Sequence, residues 1–489
     1  MTLGNDFNIH PEFHKCFYKD CQTPEPDDIE LPPPMVDCNF MDCLGGMPPA
    51  FAHLRVKTNQ RMIIDETVLK RTNGRMQFSS IFIDGTLVIP ASSFTRVKHL
   101  TIEADSVIVN SGAGGHRELL SRRRRETVNV SNGGLIIGTE DDPIPCDVTI
   151  TIKLTGDKFS KSYGAFPGSI PIGAKALGGM GGVQMFGCQI YRTWTTLKTT
   201  VSSGNTITVN DDVSALRWKI GDKIALATTD YEHRHTEYFT ITGLNGENII
   251  LDKNIKWKHI GTEDGFATIR GQRQLIQAAE VVLLSRNIKI DGFDGADGKV
   301  GGRVLITSII DEKNGHKYLR TGFGQFSFVE FRGMGQFGYN NFDDLRAQLL
   351  FYGVNTAADP TTGRPESFVK GCAFHEGFHT AIAAMFDTDG LVIDNNSVFG
   401  CVDSAIRTDS KKVTITNNVV GNIYQFQLWE NYVEQTVNTN FADDQMPAGI
   451  MTEETNDVII SFNRVAGVDG SCYSGHGEQC GADEVGGRV

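Results

Sequence analysis

The sequence predicts an all-β protein in which a β-rich domain is followed by a parallel β-helix, a solenoid of stacked strands. Runs rich in Val, Ile, Thr and Phe are short and end at Gly or Asp, which is typical of strands. The chain of 489 residues has 53 glycines and 16 prolines, which indicates tight turns rather than disorder. A sequence period in the low twenties recurs in the second half, as in solenoid proteins.

Charge and composition narrow the classes of function. The chain has 46 Lys and Arg residues against 59 Asp and Glu residues, a net charge of −13, so we expect no nucleic-acid partner. No stretch approaches the roughly 18 consecutive apolar residues of a membrane span, and residues 1–13 show no secretory signal. We therefore expect no membrane span and no signal peptide in the sequence as given.

Residues 1–50 are predicted to be an irregular segment rich in Cys, Pro and acidic residues. Cys16 and Cys21 are separated by four residues, as are Cys38 and Cys43. Structural zinc sites place two to four residues between paired ligands, but no His lies in register here. Zinc is therefore the alternative, and disulfide bonds are favoured. Oxidised cysteines predict an extracellular or cell-surface protein of the secretory pathway.

Residues 51–198 are predicted to form the β-rich domain. Its strands are interrupted by four consecutive arginines at residues 122–125. This run fits either a solvated insertion in a hairpin loop or a proprotein-processing site. The sequon at Asn129 comes directly after it and predicts glycosylation of an exposed loop. A glycine-rich stretch at 176–187 opens into a strand rather than a helix, which argues against a dinucleotide site.

Residues 199–285 are predicted to be a β-rich connecting segment. Gly221-Asp222 and Asn245-Gly246 are hairpin turn signals, and no helix comes after either of them. The segment therefore continues the all-β pattern, and its turns are not phosphate-binding loops.

Residues 286–489 are predicted to form the β-helix, because their sequence repeats. Shifting the sequence by 24 residues places Val369 opposite Ile393, and the same shift places Phe374 opposite Val398 and Ile382 opposite Ile406. A further shift of 22 residues adds a third repeat, so that equivalent positions of the three repeats form columns. Weaker copies of the same repeat lie near Ile290, Val329 and Ile460. The predicted columns are Val369, Ile393 and Ile415; Phe374, Val398 and Val420; and Ile382, Ile406 and Leu428.

One column of this repeat is polar. Asn396, Asn418 and Asn463 share it, and Cys372 takes the place of Asn in the first rung. Stacked amides at the strand spacing of about 4.8 Å can bond to the rung above and the rung below. We therefore predict a structural asparagine ladder.

The segment HEGFH at residues 375–379 matches the zinc-protease motif H-E-x-x-H. That chemistry requires a helix that carries both His side chains on one face. The repeat instead aligns His375 with Phe399 and His379 with Asp403, at the end of one strand and the start of another. We therefore predict strands here and no metal site.

A polar strip along one solenoid face is a second interpretation of these residues. His379, Asp403 and Gln425 share a column, and Arg407 lies in the column of Ala383. Carbohydrate-active β-helix enzymes place acids, bases and Arg on such a strip, whereas a solvated sheet face needs no function. Because one column offers one carboxylate and glycosidases require two, no catalytic residue is assigned. The candidates are His379, Asp403, Glu376 and Arg407.

Two further motifs concern calcium and glycosylation. Asp291, Asp294 and Asp297 are spaced three apart, whereas an EF-hand loop needs ligands two apart and a closing Glu. A calcium-binding solenoid loop is thus an alternative to an acidic turn, and no other cofactor is expected. Asn395 begins a second sequon, but it adjoins the predicted ladder, so Asn129 is the favoured glycosylation site.

The strand sequences also carry a family resemblance. IFIDGTLVI, LTIEADSVIV, GGLIIGTEDDPI and VTITIKLTG resemble the eight-glycine domain of the fibrocystin and fibrocystin-L type. WKIGDKIALATTDY is similar to the segment on the C-terminal side of that domain, and GCAFHEGFHTAIAAMFDTDGLVIDNNSVFG resembles the β-helix repeats of the fibrocystin branch. The resemblance covers most of residues 50–470. It implies an eight-glycine domain leading into a right-handed parallel β-helix.

The resemblance also implies a function. The fibrocystins are large single-pass surface receptors, so we expect an extracellular module, either an ectodomain fragment or a shortened relative, that binds a protein or a glycan without catalysis. Cell-surface hyaluronidases and the cell-migration-inducing hyaluronan-binding protein are more distant relatives. Their branch has a long inserted domain after the strand YRTWTTLKTTV, whereas in this chain SSGNTITVNDDV comes directly after it. A hyaluronan-degrading β-helix enzyme is the alternative.

Cysteine pairing outside the N-terminal segment remains open at the level of sequence. Cys472 and Cys480 are close enough in the chain to pair, and Cys146 with Cys188 is a further candidate pair.

Overall fold

The computed structural model describes residues 36–110, 134–157, 160, 169–269, 273–293, 300–313, 316–336, 346–358, 364–424, 447–453 and 455–468. For residues 266–276 and 310–320 it describes the backbone alone.

The first part of the described chain holds strands β1 to β11. These strands are β1 (Val36–Asn39), β2 (Ala52–Val56), β3 (Gln60–Ile63), β4 (Arg75–Ile83), β5 (Thr86–Ile89), β6 (His99–Ala104), β7 (Ser106–Val109), β8 (Gly134–Ile137), β9 (Thr149–Leu154), β10 (Ala176–Gly179) and β11 (Gly182–Phe186). Two short helices, α1 (Phe40–Leu44) and α2 (Glu66–Thr72), lie among them. Of the helices in the described residues, none has the length and apolar character needed to cross a bilayer.

The middle part holds strands β12 to β19. These strands are β12 (Trp194–Thr196), β13 (Thr206–Thr208), β14 (Lys223–Leu226), β15 (Glu237–Asn245), β16 (Asn248–Leu251), β17 (Phe266–Ile269), β18 (Arg273–Ile276) and β19 (Glu280–Leu283).

The last part holds strands β20 to β36. These strands are β20 (Ile288–Asp291), β21 (Arg303–Lys313), β22 (His316–Thr321), β23 (Phe323–Ser327), β24 (Val329–Arg332), β25 (Leu349–Tyr352), β26 (Phe368–Lys370), β27 (Ala373–His375), β28 (Ile382–Met385), β29 (Val392–Asp394), β30 (Ser397–Val402), β31 (Ser404–Thr408), β32 (Thr414–Thr416), β33 (Val419–Tyr424), β34 (Ala448–Thr452), β35 (Ile459–Ser461) and β36 (Arg464–Val468).

The strands of the first and last parts stack into three parallel sheets that form one solenoid, except β22, which pairs antiparallel with the end of β21. The first sheet has the order β1-β3-β5-β8-β11-β23-β26-β29-β32-β35. The second runs β2-β4-β7-β10-β21-β25-β28-β31-β34, and the third runs β4-β6-β9-β20-β24-β27-β30-β33-β36. Strand β4 turns a corner, because Arg75–Gln77 pair with β6 while Ser80–Ile83 pair with β7. Each turn of the chain therefore adds strands around one axis, as in a β-helix.

The solenoid includes both of the segments that the sequence divides into a β domain and a β-helix. Strand β11 pairs in parallel with β23, from Gly182 opposite Phe323 to Phe186 opposite Ser327. Residues 51–198 and 286–489 therefore contribute strands to the same sheets rather than to two separate folds. Strand β1 also extends the first sheet into the segment predicted to be irregular. This strand pairing could not be predicted from local sequence, because its partners are more than 100 residues apart in the chain.

The register of the second half agrees with the predicted repeat. Val369 pairs with Ile393, Phe374 with Val398, and Ile382 with Ile406. The weaker copies join the same columns, since Ile290 pairs with Phe331 and Phe331 with Phe374. These side chains are buried along the solenoid axis, where the rings of Phe331 and Phe374 stack at 4.4 Å. The predicted all-β fold with a parallel β-helix is therefore confirmed.

One predicted column member is wrong. Ile406 pairs with Ile450, and not with Leu428, which lies outside the described residues. Residues 425–446 separate β33 from β34, so this turn of the solenoid is longer than its neighbours. A fixed offset of 22 residues fails there because it assumes rungs of equal length.

The asparagine column forms a chain of hydrogen bonds. Asn396 Oδ1 accepts from the Cys372 backbone N–H at 2.9 Å. Asn418 Oδ1 accepts from both the backbone N–H and the side-chain amide of Asn396, each at 2.9 Å. Asn463 Oδ1 makes the same two contacts with Asn418. The turns after β26, β29, β32 and β35 are thus tied in succession by side-chain amides that both donate and accept.

Residues 194–283 leave the solenoid and build a small antiparallel barrel. Its strand order is β12-β19-β14-β15-β16-β13, and a bridge between Leu197 and Val209 joins the two ends of that order. The barrel has an apolar core of its own around residues such as Trp218 and Phe239. Asn245 and Gly246 turn the chain from β15 to β16, as their sequence predicts, and Gly246 has a φ of 60°.

The barrel packs against the outer surface of the third sheet. An apolar cluster across this junction contains Ala225, Ala227, Val282, Leu284, Phe399, Val419 and Ala466. Polar contacts flank it, for the Asn422 side-chain amide donates to the Tyr238 hydroxyl at 2.7 Å and Arg464 pairs with Glu280 at 3.2 Å. The apolar and polar contacts together fix the barrel at one place along the solenoid.

Candidate functional site

The two His residues of HEGFH have different environments. His375 lies in strand β27 opposite Phe399, as the repeat predicts, and not on a helix. Its Nε2 is 3.2 Å from Glu330 Oε1, and both side chains are buried. The geometry of a zinc protease is therefore absent at residues 375–379.

Glu330 is the centre of a buried ionic network that sequence analysis missed. Besides His375, it contacts the Lys289 ammonium at 3.1 Å and accepts from the backbone N–H of Arg286 at 2.7 Å. Burial favours the neutral acid, but the hydrogen bond from His375 and the nearby charges outweigh it, so the pKa of Glu330 falls to about 2. The carboxylate is therefore ionised at neutral pH, where its contacts hold neighbouring turns of the solenoid together.

Glu376 connects the solenoid to the barrel. Its carboxylate lies 2.6 Å from Arg332 Nε and 3.1 Å from the Lys223 ammonium of β14. Burial acts to raise the pKa of Glu376, but the hydrogen bond from Arg332 and the neighbouring cations lower it overall. Both carboxylate oxygens are thus used in ion pairs, which is a role in packing the barrel on the solenoid.

The predicted polar strip is not on an exposed face. His379, Asp403 and Arg407 are 0%, 1% and 2% exposed. In the strand register, Arg407 of β31 lies opposite Ala383 of β28. Ala383 belongs to an apolar cluster on the outer side of the second sheet. The solenoid face on which the repeat predicted a polar strip is therefore covered by packed side chains.

Within this strip, the charged groups contact other protein groups, although Asp403 Oδ1 is buried without a hydrogen-bond partner among the described groups. Asp403 accepts a hydrogen bond from the Thr380 hydroxyl, and its carboxylate is 4.0 Å from the Arg407 guanidinium. Arg407 also pairs with Glu453 at 2.8 Å, and Gln425 lies outside the described residues. A sugar could not approach Asp403 without unpacking these contacts.

Four of the predicted cysteines form two disulfide bonds in the described chain. Cys38 is bonded to Cys43, and Cys146 to Cys188. Cys16, Cys21, Cys472 and Cys480 lie outside the described residues. Two other cysteines, Cys372 and Cys401, are free and buried, and burial raises the pKa of each thiol to about 12.

The glycosylation and calcium candidates are partly described. Asn129, Asp294 and Asp297 lie outside the described residues. Asp291 accepts from the Phe293 backbone N–H at 2.9 Å and lies 3.5 Å from Arg332. Throughout the part of the chain that is described, no cluster of three or more His, Cys, Asp or Glu residues could hold a metal ion.

We predict that Asn395 carries no glycan when the chain is expressed through the secretory pathway of a eukaryotic cell. Its side-chain oxygen accepts a hydrogen bond from the Thr193 hydroxyl at 3.1 Å, and its backbone φ is 55° in a tight turn. A glycan on this amide would displace the contact. Peptide mass spectrometry after enzymatic deglycosylation should show unmodified Asn395, and a fully occupied site would contradict the prediction.

A cleft lies where the barrel meets the solenoid, next to the Cys146–Cys188 disulfide. Its volume is about 250 Å³. The barrel side contributes Ile190 and the loop from Arg217 to Asp222, and the solenoid side contributes Thr149 and Ser285 to Lys289. No sequence signal marks this cleft, because its walls come from four segments that are separated in the chain.

Cationic side chains dominate the lining of the cleft. Arg217, Lys219, Arg286 and Lys289 line it, against Asp222 as the carboxylate. Burial raises the pKa of Asp222, whose oxygen accepts from the Lys219 backbone N–H at 2.9 Å. The cleft is therefore a locally positive feature of an acidic protein.

Family comparisons agree with this architecture. A G8 domain model, the eight-glycine domain, matches residues 44–198, and a model of the right-handed β-helix region matches residues 340–465. Human fibrocystin-L is 28% identical over 412 residues, and mouse fibrocystin-L is 30% identical over 364 residues. The chain is a fibrocystin-L homologue over most of its length. The resemblance found in the sequence is thereby confirmed.

The alignments cover most of this chain but only a small part of fibrocystin-L. The human alignment covers 82% of this fibrocystin-L-like chain but 9% of fibrocystin-L, and the mouse alignment covers 72% and 8%. The chain thus corresponds to less than a tenth of these relatives, and their whole-protein activities do not transfer with the match.

Phage tailspikes are among the solved structures that align with this chain. The tailspike protein gp49 of Pseudomonas phage LKA1 aligns with 78% of this chain and 50% of its own, at 10% identity and a TM-score of 0.20. The Gp54 tailspike of Acinetobacter baumannii phage AP22, solved with a capsular saccharide, aligns with 85% and 72%, at 11% identity and a TM-score of 0.18. We draw no functional argument from likeness at this level.

Proposed function

We propose that this chain is a binding module of an extracellular or cell-surface protein of the fibrocystin-L type. In this proposal a glycan or protein ligand enters the cleft between the barrel and the solenoid, and no reaction takes place. The cleft is the observation that carries the proposal. It is concave, and both of its walls are held rigidly by separate hydrophobic cores, which is the usual setting of a ligand site at the junction of two structural units.

The disulfide beside the cleft supports an extracellular setting. Cys146 and Cys188 join the solenoid end of this junction to the chain that enters the barrel. Disulfides persist in oxidising compartments and are rare in the cytosol. The homology to fibrocystin-L agrees with this setting.

Binding is favoured over glycan cleavage by the placement of the acids. Most glycosidases use a pair of carboxyl groups that flank the scissile bond. The buried Asp403 is held by Thr380 and Arg407, and Asp222 has the single carboxyl group among the described residues that line the cleft. The hyaluronan-degrading alternative predicts depolymerisation of size-defined hyaluronan that is lost in Asp403→Ala.

A variant that fills the cleft tests the proposed site. Thr149 is exposed in β9 and lines the cleft, so Thr149→Trp should occupy it while preserving the strand. We expect at least a tenfold loss of binding to glycan arrays or ligand-bearing cells. Thr206→Trp, at an exposed strand position of the barrel outside the cleft lining, is the matched control and should bind normally. Equal binding by both variants would disprove the cleft as the site.

A further inference from the structure

We propose that the cleft binds the carboxylate or sulfate group of an acidic saccharide, with Arg217 and Lys219 as the cationic groups that hold it. This inference rests on the proposed function, namely that the cleft is a binding site. It adds the chemical class of the ligand and the residues that select it.

Arg217 is held in place by neutral partners. Its Nη1 donates to the Gln189 carbonyl at 3.0 Å and lies 3.6 Å from the sulfur of Cys146. Its Nη2 donates to the Tyr191 hydroxyl at 2.8 Å, and the guanidinium lies over the Tyr191 ring at 4.4 Å. A guanidinium has five N–H donors, so these contacts fix the group and leave donors for an oxyanion. Within the described chain, no carboxylate lies within ion-pair distance of it.

Lys219 adds a second charge on the same loop. Its ammonium donates to the Cys146 carbonyl at 3.3 Å, and the side chain is exposed. Asp147 is close enough to feel this charge but is itself paired with Lys98 at 3.0 Å. An ammonium with three donors and one carbonyl partner retains the capacity to bind an anion.

The back of the cleft is also cationic. Arg286 is 3% exposed and donates to the carbonyls of Gly371, Leu283 and Ser285, while its Nη2 has no hydrogen-bond partner among the described groups. Burial lowers the pKa of this guanidinium to about 10, so it is still charged at neutral pH. Lys289 is neutralised in part by Glu330. Arg286 thus adds positive potential that its neighbours do not fully cancel, which favours an anion at the cleft.

The acidic net charge of the chain does not oppose a short anionic ligand. The excess of −13 is spread over the whole protein. At physiological ionic strength, charges separated by more than about 8 Å are largely screened in solvent. The cations that line the cleft therefore dominate the potential that a single sulfate or carboxylate experiences there.

The remaining lining fits a sugar ring better than a protein surface. Ile190 and Ile220 supply apolar walls, and Ile220 is 67% exposed. The hydroxyls of Thr149 and Ser285 supply neutral hydrogen-bonding groups beside them. A volume of about 250 Å³ is below the range of drug-sized pockets and suits one sugar unit. Stable protein interfaces instead bury well over about 1,000 Å².

Calorimetry with four probes tests this assignment on the whole chain. The probes are a chondroitin sulfate tetrasaccharide, the same tetrasaccharide after chemical desulfation, inorganic sulfate, and the neutral cellotetraose. We expect the two acidic tetrasaccharides to bind at least tenfold more tightly than cellotetraose, with affinity that falls as salt rises. The ratio of the affinities of the sulfated and desulfated tetrasaccharides then shows whether the cleft prefers sulfate or carboxylate. Competition by inorganic sulfate shows whether the anion alone is enough for binding.

Paired charge variants locate the effect. Arg217→Gln with Lys219→Gln should weaken binding of the acidic tetrasaccharides at least tenfold. Lys253→Gln with Lys258→Gln removes the same charge from exposed positions of the barrel outside the cleft and should change affinity less than twofold. Thermal melting of each variant shows that it is folded. Equal losses in the two double variants, or no preference for the acidic probes, would overturn the inference.

The outcome also separates this inference from the proposed function. If cellotetraose or a protein ligand binds as well as the acidic probes, and Thr149→Trp abolishes that binding, the cleft is a binding site but not an anion site. If Thr149→Trp leaves the binding of every ligand unchanged, the cleft is not a binding site and both proposals fail.

Discussion

Replacing Glu330 with alanine is expected to lower the free energy of unfolding by about 3–5 kcal/mol. The substitution removes the acceptor for His375 and the backbone N–H of Arg286, and it leaves Lys289 without its ion-pair partner. Breaking one side of a buried ionic network is costly because the remaining charge and donors stay out of water. Urea unfolding of the whole chain, monitored by circular dichroism, measures the change.

An exposed ion pair on the same solenoid provides the control. Asp37 pairs with Arg61 at 3.2 Å, and 62% of the Asp37 side chain is exposed. Asp37→Ala should cost less than about 1 kcal/mol, as is usual for surface pairs. If Glu330→Ala is no worse than Asp37→Ala, the network does not stabilise the fold.

The same network predicts a pH dependence with a definite sign. The pKa of Glu330 is about 2 in the folded protein, below its ordinary value of 4.5, because its hydrogen bonds and nearby cations favour the carboxylate. A depressed pKa gives stability that is present above pH 4.5 and is lost as the pH falls toward 2, by up to about 3 kcal/mol. Unfolding measured between pH 7 and pH 2 should show a flatter acid limb in Glu330→Gln than in the parent chain. Parallel curves would contradict this.

Replacing Asn418 with alanine is expected to cost about 3 kcal/mol or more of unfolding free energy. Asn418 accepts from Asn396 twice, and it donates to the Ile393 carbonyl at 3.0 Å and to Asn463 Oδ1 at 2.9 Å. Its removal leaves a buried backbone N–H and a buried carbonyl without partners. Each unsatisfied group costs about 1–3 kcal/mol, and the vacated volume adds a cavity term.

The adjacent Asn417 gives a matched comparison. It is exposed, has a φ of 56°, and donates to Asp394 Oδ1 at 2.8 Å. Asn417→Gly removes this contact but keeps a residue that tolerates positive φ, so it should cost less than about 1 kcal/mol. Chemical unfolding of both variants decides the matter, and similar losses would show that the ladder position has no special role.

The strand register of the second half could be predicted because the evidence for it is local and repeated. Val369, Ile393 and Ile415 are apolar at equal intervals, and each must point inward in a solenoid whose turns bury one column on the next. Asn396, Asn418 and Asn463 mark their column in the same way. The prediction failed at Leu428, where a longer turn breaks the interval and Ile450 takes the position opposite Ile406.

The buried strip and the cleft could not be predicted in this way. Asp403 is 1% exposed, and its side chain contacts Thr380, which lies on the preceding turn of the solenoid, so its burial depends on how neighbouring turns pack. Arg217 meets Cys146 and Tyr191 because the barrel docks on the solenoid, and this contact joins residues up to 71 positions apart.

The all-β class and the repeat could be inferred from the amino-acid sequence, because side-chain periodicity and turn residues act over a few positions. The strand sequences also carried the resemblance to fibrocystin-L. Three features required the three-dimensional structure: the G8 segment and the later repeats share one solenoid, Glu330 rather than Asp403 is the centre of the ionic network, and cations gather in a cleft. The physical reason is that burial and charge compensation depend on packing between distant segments, and a single sequence does not record which surfaces meet.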